Sequence, residues 1–443
     1  MTRHPDEHLA RCLAWAFLAA EEWSRPALSA AGAHALGRRH RWLGRVVAAV
    51  VAGYRVPPLD RPDELSGFLL ASTPLAEAAG RARRRRTPVE VRAIPMVAGR
   101  MGPRRWPVPA IDDLAQLARL LELPLDQLSW VADVRGLQRR TPAGPLHLFR
   151  YRWLDRPGRV PRLLEAPTPL LRAVLRRVLE QILIWVPVHP AAHGFVRGRS
   201  ATTHAGEHVG RDTVLCLDLR NFFAAVTAGR VNGMFRAMGY PEPVAETLTG
   251  LCTRRTPVHV LARMPAGGDS TARHRLRAAL RARHLPQGSP TSPALANLAC
   301  FGLDRRLAGL ASAADLAYTR YADDVAFSGP GVEAARLVRS VTAIAAAEGF
   351  AINPTKTRVQ SSGRRQLVTG LVTNERLSVP REYVDQLRAV LHDAGRNGPD
   401  VANRAGHPDF RAHLDGRIGW VEAANPARGR RLRAQFDAIA WPA

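Results

Sequence analysis

The sequence predicts an α+β protein on two kinds of observation. An apolar run of strand length at 214–219 and a run rich in β-branched and aromatic residues at 317–328 are both typical of strands, and both contain acidic residues. Longer stretches repeat apolar residues at helical spacing, most clearly at 170–186, where arginines lie toward the opposite face. We therefore expect a few short strands among many helices.

The composition indicates a polyanionic partner. At 443 residues the chain is long enough for two or three domains. Lys and Arg exceed Asp and Glu by 26 charges, which favours nucleic acid ahead of an anionic membrane as the partner. No apolar run approaches the roughly 18 residues that span a bilayer, and the acids within the first helix are unlike a signal peptide. Four scattered cysteines indicate neither zinc nor a disulfide framework, which fits a reducing cytosol.

The N-terminal part of the chain is predicted to be helical. Apolar periodicity occurs at 9–23 and 36–54, interrupted by prolines, and again at 111–135. A strand–turn–strand pattern follows at 146–164, where Pro161 indicates an edge strand.

After the helix at 170–186 comes a basic loop at 193–200. Its glycines allow backbone to approach a phosphate closely, and Arg197 and Arg199 can clamp one. An ordinary basic turn is the alternative interpretation of this loop.

A proline-rich loop is predicted in the second half. Two helices are expected within 229–252. Three prolines and Gly288 then make a rigid loop at 285–293, which displays Gln287 before a helix at 294–310.

A β-hairpin with Asp323 and Asp324 at its bend is predicted at 317–328 and is called the acidic hairpin below, and the remaining elements follow it. They are a helix at 332–348, a short strand and turn at 350–357 that presents Lys356, a hairpin at 367–377, and helices at 380–395, 408–422 and 427–440.

The acids are the candidate chemical centre. Asp323 and Asp324 lie at the bend of the predicted hairpin, and Asp218 lies near the end of another strand. A lone Asp-Asp pair is most often a solvated turn. Three carboxylates brought together would repel unless divalent cations lay between them, and Mg²⁺ is the ion used where phosphates are co-ligands. The sequence therefore predicts an oxygen-ligand Mg²⁺ site.

Six strings in this order resemble the motifs of reverse transcriptases, and the retron type most of all. They are GRVPRLLEAP, HGFVRGRS, LCLDLRNFF, LPQGSPTSPALANL, YADD and GFAINPTKT. The resemblance covers roughly residues 111–440. It implies a right-hand polymerase fold with fingers, an antiparallel-sheet palm and a helical thumb.

The resemblance also implies roles for individual residues. Asp218 and Asp323 would hold two Mg²⁺ ions, for which Mn²⁺ could substitute, and Asp324 would support them. Phe223 matches the residue that blocks a ribose 2′-OH. Gln287 and Gly288 match residues that line the incoming nucleotide, and Arg162 matches an arginine that contacts its triphosphate. Lys356 matches a lysine that is a candidate acid for the pyrophosphate. The fingers lysine of many relatives is not evident, and Arg152 is its candidate replacement.

Two further strings carry the resemblance to the retron type. Val368-Thr369-Gly370 matches an element linked in that family to reading the cognate structured RNA. Residues 204–208 fall where the family carries NAxxH, but His204 replaces the Asn. The implied partners are a structured noncoding RNA, an RNA–DNA duplex, deoxynucleoside triphosphates and an effector protein. The implied setting is antiphage defence in the bacterial cytoplasm.

The predicted domains are a helical and basic extension at 1–105, fingers at 106–212, a palm at 213–375 and a thumb at 376–443. Three rival functions stay open. One is another bacterial reverse transcriptase, of group II intron or diversity-generating type. The second is a non-catalytic RNA-binding scaffold, against which the intact acids argue. The third is an RNA-dependent RNA polymerase, which Phe223 disfavours.

Overall fold

The computed structural model describes residues 5–85, 87, 89–92, 100–134, 136–140, 144, 146–155 and 157–441. The chain divides into two compact units. The first comprises Met1–Val186, Thr227–Asp269 and Leu280–Thr291, and the second Pro187–Val226, Ser270–Ala279 and Ser292–Ala443. Over the described residues, no helix combines the length and the apolar character that a membrane span requires.

The helices are α1 (Pro5–Leu18), α2 (Arg25–Ala35), α3 (Leu43–Gly53), α4 (Pro62–Ala71), α5 (Thr73–Arg84), α6 (Leu114–Leu120), α7 (Leu125–Ala132), α8 (Pro169–Gln181), α9 (Ala201–Gly206), α10 (Phe222–Ala225), α11 (Ala228–Ala237), α12 (Glu242–Cys252), α13 (Val258–Ala262), α14 (Ser270–Arg281), α15 (Ser292–Ala299), α16 (Phe301–Ala313), α17 (Ala334–Ala347), α18 (Arg381–Asn397), α19 (Pro399–Ala402), α20 (Phe410–Ala424) and α21 (Pro426–Asp437). The strands are β1 (Phe149–Leu154), β2 (Arg162–Pro167), β3 (Thr213–Asp218), β4 (Ala317–Tyr321), β5 (Asp324–Gly329), β6 (Arg358–Ser361), β7 (Leu367–Val368) and β8 (Leu371–Val372).

In the first unit, the N-terminal helices share one apolar cluster. Leu9, Leu13 and Phe17 repeat every four residues on α1 and are almost fully buried. They belong to the same cluster as Val50 of α3 and Leu65 of α4. Residues spaced by four lie on one face of a helix, so the apolar residues that repeat at this spacing in the sequence form the core of this region.

Strands β1 and β2 of the first unit form an antiparallel hairpin. Leu154 pairs with Arg162, and Phe149 pairs with Pro167. A two-stranded hairpin is marginally stable alone. Here the indole of Trp153 donates to the carbonyl of Val260 at 3.0 Å, which anchors the hairpin to α13.

The second unit is built on a four-stranded antiparallel sheet with strand order β4-β5-β3-β6. β3 lies between β5 and β6, and buried residues such as Val214 and Leu215 point to both of its faces, which explains its almost continuous apolar sequence. Asp218 at the end of β3 is directly opposite Asp324 at the start of β5. Val214 and Ala326, which lie on the same face as these acids, pack in one apolar cluster with α18, α20 and α21.

Those three C-terminal helices pack through residues at helical spacing. Leu387 and Leu391 on α18 meet Ile418 and Val421 on α20, with Phe436 of α21 in the same cluster. The predicted C-terminal helical bundle is confirmed.

Most predicted elements are present, but several differ. The helix predicted at 36–54 is α3 at 43–53, the helical stretch at 111–135 is divided into α6 and α7, and the short strand predicted from residue 350 is an isolated bridge between Ile352 and Leu219. The acidic hairpin (β4 and β5), the strand predicted at 214–219 (β3) and the two helices within 229–252 are confirmed. The single helix predicted at 294–310 is two helices, α15 and α16. The break falls at Cys300, whose amide is shared between the carbonyls of Ala296 and Asn297; such a shared bond tightens the last turn of a helix.

Candidate active site

The three acids lie at one end of the four-stranded sheet. Asp218 and Asp324 form a register pair, and directly opposite residues in an antiparallel pair project to the same face. Asp323 occupies the turn between β4 and β5, and its carbonyl accepts from the amide of Leu219 at 2.8 Å. Residues 105 positions apart in the chain are therefore brought together by the register of β3 with β5.

A lysine already partners one of these carboxylates. The ammonium of Lys356 lies 2.5 Å from Oδ1 of Asp218. Asn353 donates its side-chain amide to Oδ2 of Asp218 at 3.3 Å and its backbone amide to the Asp218 carbonyl at 2.8 Å. These bonds attach the turn at Pro354–Lys356 to the end of β3 and place Lys356 beside Asp218.

The electrostatics of the acidic end fit a cation. Partial withdrawal from water and then the charges of Asp323 and Asp218 raise the pKa of Asp324 to about 6, while Lys356 and Arg358 act in the opposite direction. A divalent cation would relieve this excess of negative charge, and carboxylate oxygens are the donors that Mg²⁺ prefers.

The metal-ligand set is nonetheless not preformed. In the part of the chain that the structure describes, no group of three or more His, Cys, Asp and Glu side chains could hold a metal ion. The Asp218 carboxylate is neutralised by Lys356 instead. The donor chemistry fits Mg²⁺, and the two-ion arrangement stays a prediction.

Phe223 lies in the short helix α10, which follows the end of β3. Asn221 takes a left-handed conformation, with φ 50°, and starts α10. The Phe223 ring is half-buried, with its centroid 5.3 Å from that of Phe222 and 6.2 Å from that of Phe195. These neighbours limit where the ring can move, which suits a steric role.

The other predicted nucleotide residues belong to the first unit. The carbonyl of Gln287 accepts from the amide of Glu165 at 2.8 Å. Gly288 has φ +122°, and a Cβ on it would lie 3.2 Å from the Glu165 carbonyl, so glycine allows this close approach. Arg162 is exposed at the start of β2, three residues before Glu165. One strand therefore connects Arg162 with the loop of Gln287 and Gly288.

A buried ion pair holds this strand and loop. Glu165 accepts from Nε2 of His284 at 2.9 Å and from the hydroxyl of Thr256 at 2.8 Å, and the side chains of Glu165 and His284 are each 1% exposed. Burial by itself lowers the pKa of His284, but the charge and hydrogen bond of Glu165 outweigh it and raise the pKa above its ordinary value. This pair was not predicted from the sequence.

The two arginines of the basic loop differ in their surroundings. Arg197 is exposed. Arg199 donates to the carbonyl of Ala192 at 2.7 Å and also to that of Pro190. Arg199 therefore stabilises its own loop, and Arg197 is the more accessible of the two.

The Val368-Thr369-Gly370 element forms the tight turn between β7 and β8. Thr369 and Gly370 both have positive φ, 50° and 80°. Val368 is 1% exposed and packs in the core of the second unit. The predicted RNA contact is therefore wrong for the Val368 side chain, because that side chain is buried in the apolar core and RNA cannot reach it.

The element that carries His204 lies against the acidic hairpin. Nε2 of His208 is 2.7 Å from the hydroxyl of Thr319 on β4, and Nδ1 is 2.7 Å from that of Ser328 on β5. Nδ1 of His204 is 2.7 Å from the same Thr319 hydroxyl. Burial, followed by nearby histidines and arginines, lowers the pKa of His204 to about 2 and that of His208 to about 4. Both are therefore neutral at physiological pH.

Sequence reasoning also missed a buried arginine beside the acids. Arg320 and Asp304 are both 0% exposed, and their side chains form an ion pair at 2.7 Å. An Arg within a run of strand-forming residues was the only signal in the sequence, and Asp304 looked like an ordinary helix residue.

Comparison with known proteins agrees with these motifs. A family model described as reverse transcriptase (RNA-dependent DNA polymerase) matches residues 159–380. The chain is 45% identical over 277 residues to the retron Mx65 reverse transcriptase of Myxococcus xanthus, which covers 61% of this chain and 60% of that protein.

Two other relatives are of the same type. The retron Mx162 reverse transcriptase of Myxococcus xanthus is 36% identical over 348 residues, covering 74% of this chain and 67% of its own. The retron Ec86 reverse transcriptase of Escherichia coli is 32% identical over 250 residues, covering 55% of this chain and 70% of its own. The chain thus spans between 60% and 70% of the length of these three relatives.

Proposed function

Because the chain belongs to the reverse transcriptase family, we propose that it is an RNA-directed DNA polymerase of retron type. The observation that carries the proposal is the register pair of Asp218 with Asp324, next to Asp323 in the adjoining turn. It brings three carboxylates to one sheet end as candidate ligands for metal-assisted nucleotidyl transfer, although Lys356 pairs with Asp218 in this structure.

In this proposal the protein has the right-hand organisation of a polymerase. The sheet of β3 to β6 belongs to the palm at 213–375, and the helices from α18 onward form the thumb at 376–443. The hairpin of β1 and β2 belongs to the fingers at 106–212, and 1–105 is an additional helical extension. The antiparallel sheet and the C-terminal apolar cluster support this assignment.

Asp218 and Asp323 would hold two Mg²⁺ ions, or Mn²⁺ as a substitute, and Asp324 would support them. Bound divalent ions supply charge stabilisation to the attacking primer hydroxyl and to the leaving pyrophosphate. Lys356 neutralises Asp218 in this structure, and in the reaction it would donate a proton to the pyrophosphate.

The remaining residues act on the incoming deoxynucleoside triphosphate. The Phe223 ring excludes a ribose 2′-OH by contact. Arg162 binds the triphosphate, and Gln287 with Gly288 lines the nucleotide. The bond from the Glu165 amide to the Gln287 carbonyl supports this grouping, because it ties the Arg162 strand to that loop.

The template is a structured noncoding RNA that is copied into single-stranded DNA. The surplus of 26 positive charges supports binding of this RNA and of the RNA–DNA duplex through their phosphates. Arg197, Thr369 and Gly370 are the proposed RNA contacts, with Arg199 holding the basic loop. A role in bacterial antiphage defence with an effector protein completes the proposal.

Primer extension tests the enzymatic part. Purified wild type should extend a primer on an RNA template with deoxynucleotides and Mg²⁺. Asp323→Asn should lower the rate by at least about 100-fold, since changes merely adjacent to metal ligands already cost 10- to 100-fold. Asp385→Asn on α18 is the matched control, because Asp385 forms a surface pair with Arg381 on the same helix.

Equal extension by wild type and Asp323→Asn would contradict the proposal. Sequencing the RNA that copurifies with the protein separates the retron type from the other bacterial types. A retron enzyme should retain one folded RNA with DNA joined to it.

A further inference from the structure

The turn that carries Asp323 contains a residue in an unfavourable conformation. Ala322 has φ 55°, in the left-handed region that side chains other than those of Gly, Asn and Asp rarely adopt. Its carbonyl accepts from Nη1 of Arg320 at 2.9 Å. The bond therefore acts on the residue immediately before Asp323.

Arg320 is itself held by fixed partners. Its Nε and Nη2 donate to the two carboxylate oxygens of Asp304 on α16 at 2.8 and 2.7 Å, and its Nη1 also donates to Oδ1 of Asn297 on α15 at 3.0 Å. Four of the five N–H groups of the guanidinium are thus used. Arg320 and Asp304 are 0% exposed and Asn297 is 1% exposed, so water does not compete for these bonds.

The same network reaches the basic loop. The side-chain amide of Asn297 donates to the carbonyl of Gly194 at 2.8 Å. The carbonyl of Arg320 accepts from the amide of His193 at 2.7 Å, and its amide donates to the carbonyl of Ala191 at 2.8 Å. Two helices bond the Arg320 side chain, and the basic loop bonds its backbone and Asn297, so all three meet at this residue behind the acidic turn.

We propose that Arg320 is a positioning residue that sets the Asp323–Asp324 turn for divalent-cation binding. The inference rests on the proposed polymerase function for its biological meaning, but its central claim is about the geometry of the turn. A buried ion pair alone is weak evidence for stability. The Arg320–Asp304 pair does not need the bond from Nη1 to the Ala322 carbonyl for its own stability. That bond is the one that indicates a positioning role.

Lysine cannot replace this arginine. An ammonium is a compact point charge, whereas the planar guanidinium binds Asp304 through two atoms and still points Nη1 at Ala322 and Asn297. Arg320→Lys preserves the buried charge and removes this fixed geometry.

The test measures Mn²⁺ binding by electron paramagnetic resonance on the full chain, in addition to primer extension. We expect Arg320→Lys to weaken Mn²⁺ binding at least about tenfold and to raise the Mg²⁺ concentration for half-maximal extension similarly, as is usual when the supports of metal ligands are altered. Tyr318→Phe is the matched control. It removes the Tyr318 hydroxyl bond to Asp304 at 2.7 Å but leaves the bond to Ala322, so its cation dependence should match wild type.

A second variant keeps the test decisive if Arg320→Lys does not fold. Asn297→Ala retains the ion pair but removes one of the two acceptors that orient Nη1, and it should shift Mn²⁺ binding in the same direction by a smaller factor. Mn²⁺ binding by the folded variants that equals that of wild type overturns the inference. Wild type that binds Mn²⁺ through this turn but extends no primer would overturn the proposed polymerase function and not this inference.

Discussion

Replacing Gly194 by Ala should displace the turn that carries Asp323 and Asp324, two of the proposed catalytic acids. A Cβ at position 194 would lie 2.5 Å from the amide nitrogen of Ala322 and 3.1 Å from the carbonyl carbon of Tyr321. Both are backbone atoms, so no flexible side chain can move away. Ordinary contact starts near 3.4 Å, and the two backbones must therefore separate by about 1 Å.

That separation has a calculable consequence for the rate. A misplacement of about 1 Å in a reacting group can cost about 100-fold. The loop cannot retreat freely, because the Gly194 carbonyl accepts from Asn297. We expect kcat for primer extension to fall about 100-fold and the free energy of unfolding to fall by about 1–3 kcal/mol, the usual cost of overpacking.

Single-turnover primer extension and urea unfolding measure the two effects. Gly206→Ala is the control, since Gly206 is exposed at the end of α9 and a Cβ there meets nothing within 4 Å. It should keep the wild-type rate. A Gly194→Ala enzyme that extends primers as fast as wild type and unfolds at the same urea concentration would refute the reasoning.

Two further predictions concern the ring beside the acids and the buried histidines. Phe223→Ala should raise the ratio of ribonucleotide to deoxynucleotide kcat/KM at least about tenfold, since a lost steric contact is worth about 1–3 kcal/mol; an unchanged ratio would exclude Phe223 as the sugar gate. The pKa of His208 is lowered from 6.5 to about 4, so the unfolded chain binds more protons between those values and the free energy of unfolding should fall as pH falls through that window. The contribution is on the order of 2 kcal/mol between pH 7 and pH 5, and urea titrations of His208→Gln should show correspondingly less pH dependence than wild type; equal slopes would contradict it.

Local patterns were enough to predict the elements that carry the acids. A short apolar run before Asp218 predicted β3, and the β-branched and aromatic residues around Asp323 predicted β4 and β5. The helices of the C-terminal cluster follow in the same way from apolar spacing. The motif order also sufficed to identify the family.

Local patterns could not predict which buried polar groups pair. Arg320 and Asp304 are 16 positions apart on a strand and a helix, and their bond depends on how α16 packs beside β4. The burial of Val368 and the contacts of His208 with two strands depend in the same way on packing between distant segments.

The sequence by itself determined the family and the secondary structure around the three proposed acids, because strand propensity, helical spacing and motif order are properties of neighbouring residues. Only the tertiary structure decided that Asp218 faces Asp324, that Lys356 neutralises Asp218, and that Arg320 holds the carbonyl before Asp323. The physical reason is that register and packing depend on segments far apart in the chain, whose contacts form only when the whole unit folds.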